Sequence, residues 1–327
     1  MIECQTSVEH WAMKEPFEIA REVITDLPVL MLTLTDSHGR VGRAEAAGVD
    51  YDGETPHSMA AQVAGVLDAL HDDICGADLL RLLPAGGARN ALDCALWDLR
   101  AKQEGVPVWQ RAGLAPLHPV ETTFTIGLGD EATTRRKLRE ARGYGLLKLK
   151  LDARRHLEVI DWARQEHPMA RLIVDANQAW SRDLLERLLP ELARSGVELV
   201  EQPLARGEDA QLDGLASPIP LAADESCTDR TSLDQLAGRY QYINIKLDKC
   251  GGLTEALAMC APAAERGLGL MVGNMCGTSL AMAPAFLLAQ RCTYVDLDGP
   301  LLQVLDRASL MVFRGGELQP PPPALWG

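Results

Sequence analysis

Residues 146–151 read LLKLKL, residues 171–177 read RLIVDAN and residues 198–203 read ELVEQP. Each is a short apolar run that ends in charge. Side chains alternate along a strand, so Lys148 and Lys150 share one face while Leu147, Leu149 and Leu151 share the other. The bodies of the runs are Val, Ile and Leu, as strands covered on both faces require. A packed barrel has no structural use for charge at the C-terminal tip of a buried strand, yet that is the end where barrel enzymes carry out their chemistry.

Runs of this kind recur about every 22–27 residues from residue 120 onward, at 120–128, 146–151, 171–175, 198–201, 219–224, 242–247, 269–273 and 293–297. Helical patterns stand between them, for example at 131–142, 156–166, 184–194 and 254–266. Eight strands with seven intervening helices predict an α/β fold, a (β/α)7β TIM-type barrel, with an open doubly wound sheet as the alternative. No G-x-G-x-x-G follows the first strand and no G-x-x-x-x-G-K-[ST] occurs, so nucleotide-binding versions of the open sheet lose support.

The first ~115 residues lack this alternation. A strand is expected at 27–35, a hairpin turn at Asp36-Ser37-His38-Gly39, and helices at 58–70 and 88–103, the latter with Leu92, Ala95, Leu96 and Leu99 on one face. Strands followed by helices suggest a separate α+β capping domain. The expected organisation is a capping domain over 1–116, the barrel over 117–300, and a tail over 301–327 that packs back on the capping domain.

The chain of 327 residues is 47% apolar and 24% charged, an ordinary globular balance. Its 32 basic and 46 acidic residues give a net charge of −14, which repels phosphate backbones and anionic lipid. A small molecule is therefore the expected partner, rather than nucleic acid or membrane; a homo-oligomer is compatible with the sequence. Eight scattered cysteines with no C-x-x-C pair fit reduced thiols in a cytoplasmic protein, and the polar N-terminus does not read as a signal peptide. Residues 267–290 carry no charge, but four glycines and Pro284 make them a buried strand followed by a buried helix rather than a membrane span.

The strand tips form a series: Lys148 and Lys150, then Asp175, Glu201, Asp224, Lys246, and finally Asp296 and Asp298. Taken singly, each has a bland reading as a helix N-cap, a turn or a solvated face. Together they do not. Three carboxylates on consecutive strands converge and repel one another unless a cation lies between them. Oxygen-only ligands imply a hard metal, one Mg2+ per subunit, with Mn2+ as second candidate. The lysines of strands two and six can face each other across the barrel mouth.

On these motifs, from Lys148-Leu149-Lys150 through Asp175-Ala176-Asn177, Glu201-Gln202-Pro203, Asp224-Glu225-Ser226 and Asn244-Ile245-Lys246, the chain resembles the muconate-lactonizing branch of the enolase superfamily. Its helix Arg89-Asn90-Ala91-Leu92-Asp93-Cys94-Ala95-Leu96-Trp97-Asp98-Leu99 is similar to the family's capping-domain helix, and Asp296-Leu297-Asp298 matches the dipeptide epimerases of that branch. The resemblance implies an isomerase acting on amino acid derivatives, a Mg2+-dependent dipeptide epimerase. Asp175, Glu201 and Asp224 would hold the metal, which would stabilise an enediolate formed by proton abstraction next to the substrate carboxylate. Lys148 would donate to that carboxylate. Lys150 and Lys246 would exchange protons on opposite faces of the α-carbon, with pKa values brought down by burial and neighbouring positive charge. Asp296, ahead of Asp298, would meet the dipeptide ammonium, and Arg21 would lie on a loop covering the mouth. Some Ala-Glu epimerases carry an arginine where Leu280 stands here, which leaves the side-chain preference open. Rival readings are an N-acyl amino acid racemase on the same scaffold, a cycloisomerase or dehydratase, and a non-catalytic barrel.

Overall fold

The computed structural model describes residues 2–19 and 23–327. Strands β1 (Glu3–Glu18), β2 (Val23–Thr35) and β3 (Val41–Ala46) form an antiparallel sheet in that order. The β2–β3 turn is the one expected: Gly39 adopts φ 77° and donates to Asp36 O at 2.9 Å, while the Asp36 carboxylate accepts the His38 and Arg40 amides. Long β1 is among the elements that sequence reasoning missed, because much of it faces solvent and its apolar alternation is broken. Helices α1 (Pro56–Ala64), α2 (Gly76–Leu82), α3 (Gly87–Glu104) and α4 (Val108–Arg111) follow. The helix expected over 58–70 ends early, at Ala64, and resumes only as a 3-10 turn at Leu67–Ala69. In α3, Leu92, Ala95, Leu96 and Leu99 are all buried, as their spacing requires.

The barrel runs β4 (Val120–Glu121), β5 (Phe124–Ile126), α5 (Glu131–Glu140), β6 (Leu146–Lys150), α6 (Leu157–Glu166), β7 (Arg171–Asp175), α7 (Arg182–Arg194) and β8 (Val197–Glu201). It continues with β9 (Leu221–Ala223), α8 (Leu233–Leu236), β10 (Tyr242–Ile245), α9 (Leu247–Cys250), α10 (Leu253–Glu265), β11 (Gly269–Val272), α11 (Ser279–Ala289) and β12 (Tyr294–Val295). Strands β5 to β12 form one parallel sheet in chain order, and Thr123 N donating to Val295 O at 2.9 Å brings its last strand against its first.

Two expectations are corrected. The run 120–128 is not one strand: only Phe124–Ile126 joins the barrel sheet, while Val120–Glu121 pairs with β14 (Glu317–Leu318) of the hairpin it makes with β13 (Phe313–Arg314). The connection from β8 to β9 holds a 3-10 turn at Asp209–Leu212 instead of a helix, because Pro203, Gly207, Gly214, Pro218 and Pro220 interrupt it. Beyond β14 the chain reaches α3, where Trp326 Nε1 donates to Cys94 O at 3.1 Å and Gly327 N to Asp98 Oδ1 at 2.8 Å. Among the described residues no helix is long and apolar enough to cross a membrane, and all eight cysteines are free.

Candidate active site

The inner face of the barrel is layered, because every second residue of each strand points inward. Its lowest layer is apolar: Leu146, Ile173, Leu199, Ala222, Met271 and Tyr294 form one buried cluster. Two residues further along those strands stand Lys148, Asp175, Glu201, Asp224 and Asp296, with Asn244 two beyond Tyr242. One more step brings Lys150, Asn177, Lys246 and Asp298. Strand register sets Lys150 beside Asp175 and Asp175 beside Glu201. An apolar floor thus carries two charged storeys.

Asp175, Glu201 and Asp224 are buried, and each offers a carboxylate oxygen within 4.8 Å of the others. Lys148 Nζ stands among them, 3.0 Å from Asp175 Oδ2, 2.8 Å from Glu201 Oε2 and 2.8 Å from Asp296 Oδ2. Lys150 Nζ donates to Asp175 Oδ2 at 2.7 Å, and Lys246 Nζ to Asp224 Oδ2 at 2.7 Å. The other oxygen of Asp224 is taken by Lys249, which sequence reasoning passed over; Lys249 Nζ donates to Asp224 Oδ1 at 2.6 Å, to Asn244 O at 3.0 Å and to the Asp224 carbonyl.

Burial opposes the charges of Lys148, Asp175, Glu201, Asp224 and Lys246, and their neighbours decide the outcome. For Lys148, burial alone would lower the pKa, but Asp296, Glu201, Asp175 and Asp224 hold it well above the usual lysine range. Asp175 is fully buried, yet Lys150 and Lys148 pull it below the usual carboxylate range, and Lys246 and Lys249 do the same for Asp224. Glu201 goes the other way, raised by burial and by the charge of Asp175. The expectation that Lys246 sits low is not met. Burial lowers it, but Asp224, Glu201 and Glu225 outweigh that and hold it above its usual value. Two of those three are acids that a metal would claim.

The residues fit such a metal. The donors are oxygens only, and Glu201 Oε2, although close to the Lys148 ammonium, accepts no aligned hydrogen bond. Hard dications such as Mg2+ take ligand sets of this kind. The carboxylates are braced from behind. Asn244 Nδ2 donates to Glu201 Oε1 at 2.8 Å, and glycine at 273 leaves that side chain room, since a Cβ there would lie 2.7 Å from the Asn244 amide. Gln202 adopts φ 32°, and its Oε1 accepts Asp224 N at 2.8 Å and Ser226 N at 3.1 Å, tying the tips of β8 and β9 together. Asn244 was legible from its place two residues before Lys246; nothing in the sequence marked Lys249.

At the last strand, Asp296 is already engaged. Besides Lys148, its Oδ1 accepts Thr123 Oγ1 at 2.7 Å, and its carbonyl accepts Asn274 Nδ2 at 2.6 Å. The Asp298 carboxylate accepts Thr125 N at 2.6 Å and its carbonyl accepts Leu301 N at 2.8 Å; burial and the charge of Asp296 push the carboxyl up to about 7. Cys276, at φ 62°, has a thiol that burial pushes up to about 12, away from the thiolate that a nucleophile needs.

The upper storey opens into a cavity of about 480 Å3, whose walls include Lys148, Lys150, Lys246, Asp296 and Asp298. Its roof comes from the N-terminal domain, where apolar Phe17, Ile19, Ile24 and Leu27 are joined by polar residues that include Asp26, Asp50, Glu54 and His57. Arg21 lies outside the described residues. Leu280 is buried in α11 and does not line the cavity. Among the described residues no arginine lines it.

Residues 1–113 match the mandelate racemase / muconate lactonizing enzyme N-terminal domain, and residues 130–322 match the enolase C-terminal domain-like family. The L-Ala-D/L-Glu epimerase of Escherichia coli is 39% identical over 312 residues, which span 95% of this chain and 97% of that protein. The N-acetyl-D-glutamate racemase of a Pseudoalteromonas species is 43% identical over 250 residues, 76% of this chain and 79% of that one. Among solved structures, an enolase family member from Agrobacterium tumefaciens with homology to dipeptide epimerases, holding sodium and L-Ala-L-Glu, superposes with a TM-score of 0.96 at 39% identity, covering 100% of both chains.

Proposed function

The chain belongs to the mandelate racemase / muconate lactonizing enzyme branch of the enolase superfamily, and from that premise we propose that it is a Mg2+-dependent dipeptide epimerase. The reaction inverts the α-carbon of the C-terminal residue by 1,1-proton transfer. That enolase-superfamily sites combine Mg2+ with a lysine or histidine base is a property of the superfamily at large. The observation that carries the reading in this chain is the pair of lysines, Lys150 and Lys246, each 2.7 Å from an acid of the same buried carboxylate cluster.

A dication held by Asp175, Glu201 and Asp224 supplies, when bound, positive charge that makes the substrate's α-proton more acidic. In this reading Lys150 takes the α-proton from one face of the substrate and Lys246 delivers one to the other, or the reverse. Lys148 acts as the fixed counter-ion of the acids around it, its three near neighbours all being carboxylates. Asp298 is the better partner for the dipeptide ammonium, because Asp296 is already bound to Lys148 and Thr123.

The similarity to an N-acetyl-D-glutamate racemase sustains a second reading, racemisation of N-acylated amino acids. Such a substrate has no ammonium for Asp298 to meet. The test is to offer paired dipeptides and paired N-acetyl amino acids with Mg2+ and with EDTA. Inversion of dipeptides that stops in EDTA, with a raised KM in Asp298→Asn, is the expected result. Inversion of the acylated set alone contradicts the proposal.

A further inference from the structure

The two lysines are not held alike. Lys150 ends a strand whose full length is hydrogen-bonded, and its own position pairs with Asp175 of β7. The turn that follows it is held chiefly from within the barrel: Trp180 Nε1 donates to Asp152 O at 3.1 Å and Leu151 N to Asp175 O at 2.9 Å. Among the described residues, its side-chain tie to the N-terminal domain is a half-exposed ion pair, Arg155 to Glu18, at 2.9 Å.

Lys246 lies one residue beyond the last paired position of β10, Ile245. Its direction is therefore set by the turn 246–252, whose amides at 249 and 250 close back on Lys246 O at 3.0 Å each. From the barrel side, Lys249 holds that turn. From the other side it is gripped by the N-terminal domain. Asp248 Oδ1 accepts Gly48 N at 2.9 Å, in the loop that roofs the cavity. Arg89 of α3 donates to Cys250 O at 2.6 Å and Gly251 O at 3.1 Å. One turn along α3, Asp93 accepts Thr254 N at 2.8 Å and Thr254 Oγ1 at 2.5 Å, and another turn on Trp97 Nε1 reaches that hydroxyl at 2.9 Å. The approach is close enough that a Cβ on Gly251 would lie 2.4 Å from Arg89 and one on Gly252 2.6 Å from Asp93. Both glycines also have positive φ, 75° and 115°.

We infer that Arg89, Asp93 and Asp248 form a latch through which the N-terminal domain positions Lys246 but not Lys150. They are positioning residues: none lines the catalytic storeys, and they act through the turn that carries the lysine. The inference rests on the two-lysine reading above. It implies that loosening the latch removes one stereochemical half of the reaction and spares the other.

The experiment follows α-proton exchange in D2O with Mg2+, starting separately from each epimer of one dipeptide. Lys150→Ala and Lys246→Ala first assign the epimer served by each lysine. Arg89→Met and Asp248→Ala are then compared with them. The latch predicts a loss of ~10-fold or more in exchange from the epimer that Lys246 serves, a misplacement of about 1 Å being able to cost ~100-fold, with exchange from the other epimer within about twofold of wild type. Asp248→Asn, which keeps an acceptor for Gly48 N, should restore the lost half. If Arg89→Met does not fold, Asp248→Ala carries the test. Equal losses from both epimers, or none, overturn the latch. If the two lysine variants show no epimer selectivity, the two-lysine reading itself falls and the latch falls with it, and this result is read from the lysine variants alone.

Discussion

Lys148 sits one pleat below Lys150, and its surroundings differ from those its sequence position suggested. The K-x-K pattern put both lysines on the inner face but could not say which carboxylates each would meet, because that depends on strands 25 to 148 residues away. Asp175, Glu201 and Asp296 all lie within 3.0 Å of the Lys148 ammonium. Removing one partner of a buried charge cluster leaves the rest uncompensated and costs about 3–5 kcal/mol. Lys148→Met should therefore lower stability by that order in urea unfolding with EDTA present. Added Mg2+ should stabilise the variant more than the wild type, since a cation held by the same acids offsets the missing ammonium. Equal Mg2+ stabilisation of the two proteins would count against Lys148 as the counter-ion of this cluster.

The strand–helix alternation was legible at the level of elements because the barrel strands are short apolar runs and several are bounded by a charged tip, as at Val174-Asp175 and Val200-Glu201. It failed where tertiary pairing overrides the local pattern. Val120 pairs with Leu318 almost two hundred residues away, a contact that no local window contains, and β1 presents a largely solvated face. The braces behind the acids were partly legible: Asn244 shares the face of Lys246, but its contact with Glu201 crosses from β10 to β8. Outer braces of metal ligands typically affect affinity by ~10–100-fold. Asn244→Ala should weaken Mg2+ binding to that extent in calorimetry, and Gly273→Ala, whose new Cβ displaces the Asn244 amide, should act in the same direction. Unchanged Mg2+ affinity in both variants would remove Asn244 from the metal site.

Across the whole molecule, the N-terminal domain both roofs the cavity and joins the barrel at buried acids such as Asp248, which gives stability a pH dependence. Burial, with Glu54 and Glu45 nearby, pushes the Asp248 carboxyl up to about 7, against the opposing bond from Gly48 N. An unfolded aspartate titrates near ~4, so between about pH 4 and 7 the folded chain keeps a proton that the unfolded chain has lost, and stability falls as pH rises through that window. Asp248→Asn cannot titrate. Its stability relative to wild type should rise by a few kcal/mol at most from about pH 4 to 7 and then level off; parallel stability curves would contradict this. The central claim, inversion by two lysines facing one α-carbon, is tested most directly by running wild-type enzyme with Mg2+ and a dipeptide in D2O and locating deuterium in the newly formed epimer by NMR and mass spectrometry. One solvent deuteron is expected at the α-carbon of the C-terminal residue and none at the N-terminal residue. Inverted product without deuterium there, or inversion at the N-terminal residue, would contradict it.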